Sequence, residues 1–377
     1  MAARVLYDHQ IFSLQSYGGI SRYYGELFRR YASDPDLDID LALAFSGNQY
    51  LEGTRFSSRY WASDTLRSRT VAKARDLTGI DLKYWTNQRV SARALRRQDF
   101  DIFHPTYYDP YFIEPLGRKP CYLIVHDMIH DLLTQYYPAN AKVIGWKKAV
   151  VDRADHIVTV SANTKNDLCR LYGVDGSRVR VIRQGISLDP PPGPVERPDG
   201  VPERYILFVG HRWTYKNFDR FLEAVSPLLA KDRELHLLCV GGDPFSEAED
   251  LRISRLGLAG QVRQMRVDDS FLIALYKNAL AFVFPSLYEG FGLPVLEAFA
   301  CGCPAVLSNT SSLPELGGDA AEYFDPGDEA SMAEGISRVV QDEGLRARMT
   351  AQGLERAKLF SWDRTARETK AAYLSML

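Results

Sequence analysis

Short apolar runs bounded by turn residues recur along the chain, separated by stretches of helical periodicity: 4–8, 101–104, 121–126 and 156–160, then 205–210, 235–240, 281–284 and 304–307. Runs such as Tyr205-Ile-Leu-Phe-Val209 are apolar throughout, which marks strands buried on both faces. Strands of that kind alternating with helices predict parallel sheets covered by helices, an α/β architecture. The pattern occurs twice. Between the two occurrences stand Pro190, Pro191, Pro192, Pro194, Pro198 and Pro202, with Gly193 and Gly200 among them. Proline fixes φ and lacks an N–H, so this stretch continues neither a helix nor a central strand and reads as a linker. A surface loop inside one domain is the plainer alternative. The expected organisation is a first domain over 1–189, a linker over 190–203, a second domain over 204–360 and a closing segment over 361–377. A length of 377 residues suits two cores.

Composition narrows the picture. The chain is 46% hydrophobic and 25% charged, the balance of a globular protein, and its net charge of −2 gives no global attraction to nucleic acid. Its 5 cysteines, at 121, 169, 239, 301 and 303, are odd in number and lack zinc-site spacing. No apolar run approaches the roughly 20 residues that span a bilayer, and Met1-Ala-Ala-Arg leads straight into a strand, so the expectation is a cytoplasmic protein with reduced thiols. Charge is uneven locally. Over 59–97, ten Arg and Lys face three Asp, interleaved with Tyr60, Trp61, Tyr84 and Trp85. That mixture suits an anionic membrane surface or a pyrophosphate-bearing acceptor. Two solvated helices with aromatic core anchors explain the same residues more plainly.

Candidate chemistry gathers where strands end. After the run 281–284 comes Ser286-Leu-Tyr-Glu289-Gly-Phe-Gly-Leu-Pro-Val-Leu-Glu297, leading into a helical pattern. Gly290 and Gly292 let backbone approach a ligand, and free amides at a helix start attract phosphate. Glu289, in the loop, is suited to accept hydrogen bonds from sugar hydroxyls, and Glu297 from those of a ribose. After the run 205–210, Arg212 and Lys216 stand four residues apart as a candidate pyrophosphate clamp. Departure of a nucleoside diphosphate builds up negative charge, which two cations can stabilise in place of a divalent metal. No Asp-x-Asp pair follows a strand, and Asp268-Asp269 reads as a turn or cap, so neither a metal nor another cofactor is expected. In the first half, Gly18 and Gly19 precede a helical pattern, His126 closes the run 121–126, and Ser161 and Thr164 follow 156–160. Taken singly these are a tight turn, a core histidine and helix caps.

Together these residues resemble the retaining glycosyltransferases of family 4, a GT-B group that includes bacterial mannosyltransferases and polysaccharide-assembly enzymes. The resemblance rests on Gly18-Gly19, His126-Asp127, Ser161-x-x-Thr164, Arg212 with Lys216-Asn217, and above all the Glu-x7-Glu element from Glu289 to Glu297 in the context Pro285-Ser-x-Tyr-Glu-Gly-Phe-Gly-Leu-Pro-x-Leu-Glu-Ala298. It implies two Rossmann-like domains, with a C-terminal helix crossing back to the first, and metal-independent transfer of a hexose with retention. Gly18, Gly19 and Ser161 would lie at the donor, Arg212 and Lys216 on its diphosphate, and His126 near C6 of its sugar. Glu289 would hold sugar hydroxyls, Gly290, Phe291, Gly292 and Leu293 would complete the pocket, and Glu297 would bind ribose. The implied donor is a GDP-sugar such as GDP-mannose, with a UDP-sugar as the alternative. The implied acceptor is a glycan or lipid-linked glycan of surface polysaccharide synthesis, which would place the protein peripherally on the inner membrane face. One departure is visible: only four positions separate Lys216 from Arg212, a shorter turn than many relatives carry. A non-catalytic nucleotide-sugar-binding subunit is the competing reading from another class.

Overall fold

The computed structural model describes residues 2–60, 81–137, 141–212 and 214–377. The chain forms two compact units. Met1–Val160, Thr164–Gln184 and Trp362–Leu377 make the first, and Ser161–Asn163 with Gly185–Ser361 make the second.

In the first unit, strands β1 (Ala3–Tyr7), β2 (Leu37–Leu41) and β3 (Ile102–His104) pair in the order β2-β1-β3. Strands β4 (Tyr122–Val125), β5 (His156–Thr159) and β6 (Val179–Val181) pair in the order β4-β5-β6. All these pairings are parallel, and a single bridge between Phe103 and Cys121 links the two sets. The helix Trp362–Leu374 belongs to this unit and buries Trp362, Ala366, Ala372 and Tyr373. The Tyr373 hydroxyl lies 2.7 Å from that of Tyr7 and 2.6 Å from Nδ1 of His104, so the last helix is hydrogen-bonded into the first sheet. Trp362 meets Tyr23 edge to face at 5.6 Å. A C-terminal segment with both aromatics fully buried is a working part of this core.

The second unit holds six parallel strands in the order β12-β11-β10-β7-β8-β9. They are β7 (Arg204–Val209), β8 (Leu235–Val240), β9 (Val262–Met265), β10 (Ala281–Phe284), β11 (Ala305–Ser308) and β12 (Ala321–Phe324). Ile206, Phe208, Leu237, Val283 and Val306 project from the sheet into a core closed by Phe221, Leu222 and Ile336. The proline-rich stretch packs within this unit: Lys277 Nζ donates to the carbonyls of Pro191 at 2.6 Å and Gly193 at 2.5 Å, and Asn278 Nδ2 to that of Val195 at 3.1 Å. The boundary between the units accordingly falls at Gln184–Gly185, ahead of the prolines.

Strand order decides where a ligand can sit. From β7 the chain builds outward through β8 and β9, then returns to place β10 on the other side of β7. The loops that leave β7 and β10 at their carboxyl ends therefore stand where the strand order reverses, and such a switch point opens a crevice in a parallel sheet. Those two loops carry Arg212 and Lys216, and Glu289 to Gly292.

Candidate active site

Pro285–Gly292 turns the chain from β10 into the helix Leu293–Ala300. Gly292 is the N-cap, with φ of 119° in the left-handed region, and Pro294 stands in the first turn. Its amide end is the phosphate-seeking pole of the helix dipole. Hydroxyls from the loop after β11 hold this turn: Ser311 Oγ accepts from the Glu289 N–H at 3.0 Å, and Ser312 Oγ donates to the carbonyls of Glu289 at 3.0 Å and Phe291 at 2.5 Å. Ser161 Oγ donates to the Gly290 carbonyl at 2.7 Å. Leu293 opens the helix, and Glu297 lies one turn further along it, almost fully buried.

Lys216 ends the short turn Thr214–Lys216 after β7 and reaches Glu289, its Nζ 2.6 Å from Oε1. Their side chains are only 14% and 11% exposed, so the pair is held in a medium of low polarity. The ammonium also lies 5.0 Å from the Tyr215 ring and 5.1 Å from that of Phe284. Backbone fixes the meeting of the two loops, since the Leu287 N–H donates to the Tyr215 carbonyl at 2.8 Å. Asn217, at φ of 59°, starts the next helix and ties it to the Pro326 carbonyl.

Arg212 is placed differently from the clamp that its spacing to Lys216 suggested. Its Nε is 2.6 Å from Glu249 Oε1, and its Nη2 donates to the carbonyls of Asp243 at 2.6 Å and Pro244 at 3.3 Å. The rings of Phe245 and Phe218 flank it at 4.7 and 5.7 Å. The guanidinium is committed to protein acceptors. Glu249 escaped sequence reasoning, although Ser246-x-x-Glu249 is a capping-box pattern that points to it; Ser311 and Ser312 also escaped, where a run of hydroxyls after an apolar strand was the available signal.

Gly18, Gly19 and His126 lie in the first unit. Gly18 caps the helix Gly19–Tyr31, and a Cβ there would fall 2.6 Å from Oε1 of Gln15, which accepts from the Ser21 N–H. His126 follows β4 and is buried edge-on against Tyr23 and Tyr24. Neither of its ring nitrogens has a hydrogen-bond partner among the described residues, and burial pushes its pKa down to about 4, so the ring is neutral at pH 7. A neutral imidazole with both nitrogens unsatisfied is a group that a hydroxyl can bind.

Of the basic, aromatic segment 59–97, residues 61–80, including Trp61, lie outside the described residues. In the helix Leu82–Arg97, Tyr84 is anchored to Asp109 at 2.8 Å, whereas Trp85 is exposed beneath Arg89. Among the described residues, no three His, Cys, Asp or Glu side chains are grouped to hold a metal ion, and no helix is long and apolar enough to cross a membrane.

Residues 17–190 match the family model described as Glycosyltransferase Family 4, and residues 197–356 that described as Glycosyl transferases group 1. The O-antigen chain mannosyltransferase B of Escherichia coli is 32% identical over 372 residues, covering 94% of this chain and 95% of that protein. The O-antigen chain mannosyltransferase RfbU of Salmonella typhimurium is 28% identical over 56% of this chain and 60% of its own. Among solved structures, sucrose-phosphate synthase from Thermosynechococcus elongatus superposes with a TM-score of 0.73 at 19% identity, covering 100% of this chain and 99% of the other. Anabaena HepE in complex with UDP and glucose gives 0.73 at 15% identity, with 100% of both chains covered. At such identities the likeness is one of GT-B fold.

Proposed function

The chain belongs to glycosyltransferase family 4 and is a glycosyltransferase of polysaccharide synthesis, and we propose that it moves mannose from GDP-mannose to a growing glycan, with retention of configuration and without a bound metal. The relative matched over nearly the whole chain is named a mannosyltransferase of O-antigen chains, which supports the sugar. The observation that carries the reading is the approach of Lys216 to Glu289 at the switch point between β7 and β10. An ammonium and a carboxylate held together there offer one group to a leaving diphosphate and the other to the hydroxyls of the sugar it bears.

In this reading Lys216 meets the diphosphate charge as the glycosidic bond breaks. The amides from Gly290 to Leu293 at the helix start add to it, and Glu289 orients the sugar through its hydroxyls. Glu297 takes the ribose. The acceptor proton passes to a donor phosphate oxygen, as the family resemblance implies, so no enzyme carboxylate acts as nucleophile. A lipid-linked acceptor would bring the basic segment 59–97 to an anionic membrane surface, which sedimentation with anionic against neutral vesicles would reveal.

Titration calorimetry with GDP, UDP, ADP and TDP in the presence of EDTA tests the donor site, repeated on Lys216→Ala and Glu297→Ala. The reading requires that GDP bind metal-free and that both variants lose it. Preference for UDP would move the donor to a UDP-sugar, and absence of binding by every nucleotide would overturn the catalytic reading. Transfer from GDP-mannose with an inverted product anomer, read by proton NMR, would remove the retaining mechanism.

A further inference from the structure

Loop Gly241–Pro244, which leaves β8 at its carboxyl end, folds directly over Arg212. Gly241 and Gly242 sit at φ of 88° and 69°, a left-handed pair that brings the backbone in close. A Cβ on Gly242 would come within 3.3 Å of Arg212 Nη1 and 3.5 Å of His211 Cα. Arg212 takes hold of the loop from beneath, at the carbonyls of Gly241, Asp243 and Pro244. Its own orientation is set by Glu249, whose other oxygen accepts from the N–H and hydroxyl of Ser246 at 2.7 and 2.9 Å. Burial alone would raise the Glu249 carboxyl; the hydrogen bonds from Arg212 and Ser246 outweigh it and hold the group below its usual range. With a side chain only 5% exposed, Arg212 is built into the wall. The cavity beside it, about 380 Å³, is lined by His211, Arg212, Gly242, Asp243 and Glu249 among others, at the carboxyl ends of β7 and β8.

We propose that Arg212 is a positioning residue rather than a ligand of the donor diphosphate: anchored by Glu249, its guanidinium fixes loop Gly241–Pro244 as a wall of the donor site, leaving Lys216 as the side-chain cation that meets the phosphates. This rests on the donor site described above. A fork of N–H groups splayed onto a carboxylate and three carbonyls uses the shape of arginine, which a lysine of equal charge cannot reproduce. A phosphate ligand, in contrast, depends mainly on charge and on the number of phosphates present.

The two roles separate in a panel of variants whose affinities for GDP and GMP are measured by calorimetry in EDTA, with UDP and UMP run alongside. If Arg212 positions the loop, Arg212→Met, Arg212→Lys and Glu249→Gln each weaken the diphosphate and the monophosphate by a similar factor, about tenfold for loss of a charge-assisted bond. The GDP-to-GMP ratio then stays at the wild-type value, and the Arg212→Met, Glu249→Gln double variant is no worse than the poorer single one. Lys216→Met serves as the contrast, losing GDP selectively. The inference is overturned if Arg212→Met loses GDP selectively while Arg212→Lys and Glu249→Gln bind normally, or if none of these three alters affinity. Melting curves confirm that each variant is folded, and Glu249→Gln, nearly isosteric, remains informative if Arg212→Met does not fold. A Lys216→Met protein with unchanged GDP affinity would count against the donor reading and not against the role of Arg212. A wild type that binds no nucleotide sinks both.

Discussion

Replacing Lys216 with methionine keeps most of the aliphatic stem and removes the charge, which leaves Glu289 as an almost buried carboxylate without its cation. Stranding one member of a buried pair costs about 3–5 kcal/mol, and the residual exposure of these side chains lowers that to about 2–3 kcal/mol. For a unit of this size each kcal/mol moves the midpoint by roughly 2–4 °C, so the affected transition should fall by roughly 4–12 °C. Glu289→Gln combined with Lys216→Met removes both charges, and the double variant should recover about 1 kcal/mol or more of the loss, because no ion is then left unpaired. Activity should not recover with it. Loss of a cation aimed at developing charge lowers kcat by about 10²–10³-fold, and the double variant also lacks the carboxylate that holds the sugar. Calorimetric scans of the three variants together with initial rates of sugar transfer check both halves. A Lys216→Met protein that melts with the wild type, or a double variant that is less stable than the single one, would refute the electrostatic argument.

Gly292→Ala places a Cβ at φ of 119° and 3.1 Å from Leu313 Cδ2, so it should cost about 1–3 kcal/mol in a urea titration and lower transfer by disturbing the helix start. Tyr373→Phe keeps the ring and removes the hydroxyl shared by Tyr7 and His104; about 1–3 kcal/mol of stability should be lost in a urea titration, and an unchanged midpoint would show that these bonds contribute nothing. The buried imidazole of His126 is harder to protonate in the folded chain, at about 4, than in the unfolded chain at about 6.5. Because the unfolded state binds the extra proton, stability from this group is complete above pH 6.5 and is lost as pH falls toward 4. Denaturation midpoints across that window should fall less steeply for His126→Asn; parallel slopes would refute the assignment.

The central strands were legible because a strand buried on both faces must be apolar throughout, as in 205–210 and 281–284. The four strands without such a signal, β2, β6, β9 and β12, are all at the ends of their hydrogen-bonded sets, where polar residues are tolerated. Leu37-Asp-Ile-Asp-Leu41 alternates, and Val262-Arg-Gln-Met265 carries two polar positions in four residues. In the site, the loop chemistry of Glu289 to Gly292 was readable because glycine and proline constrain backbone locally. What Arg212 would contact was not, since its partner Glu249 lies 37 positions away in the first turn of the helix Glu247–Arg255 and spacing carries no record of which acceptor a side chain meets. The proline-rich stretch shows the same limit: residue type fixed its irregular backbone, while its attachment to Lys277 and Asn278 depends on tertiary contacts.

The hydroxyls of Tyr7 and Tyr373 are 366 positions apart. During synthesis, residues 185–361 of the second unit are available as one continuous stretch and can collapse as soon as they emerge. The first unit cannot: its β1 leaves the ribosome ahead of residues 185–361 but lacks Trp362 and Tyr373 until residues 362–374 have been made. The part translated first is therefore completed last, and through most of elongation the faces around Tyr7, Tyr23 and His104 stay uncovered. Chaperone dependence and aggregation of nascent chains should accordingly trace to the first unit, although the instruction that resolves them is written after the whole of the second.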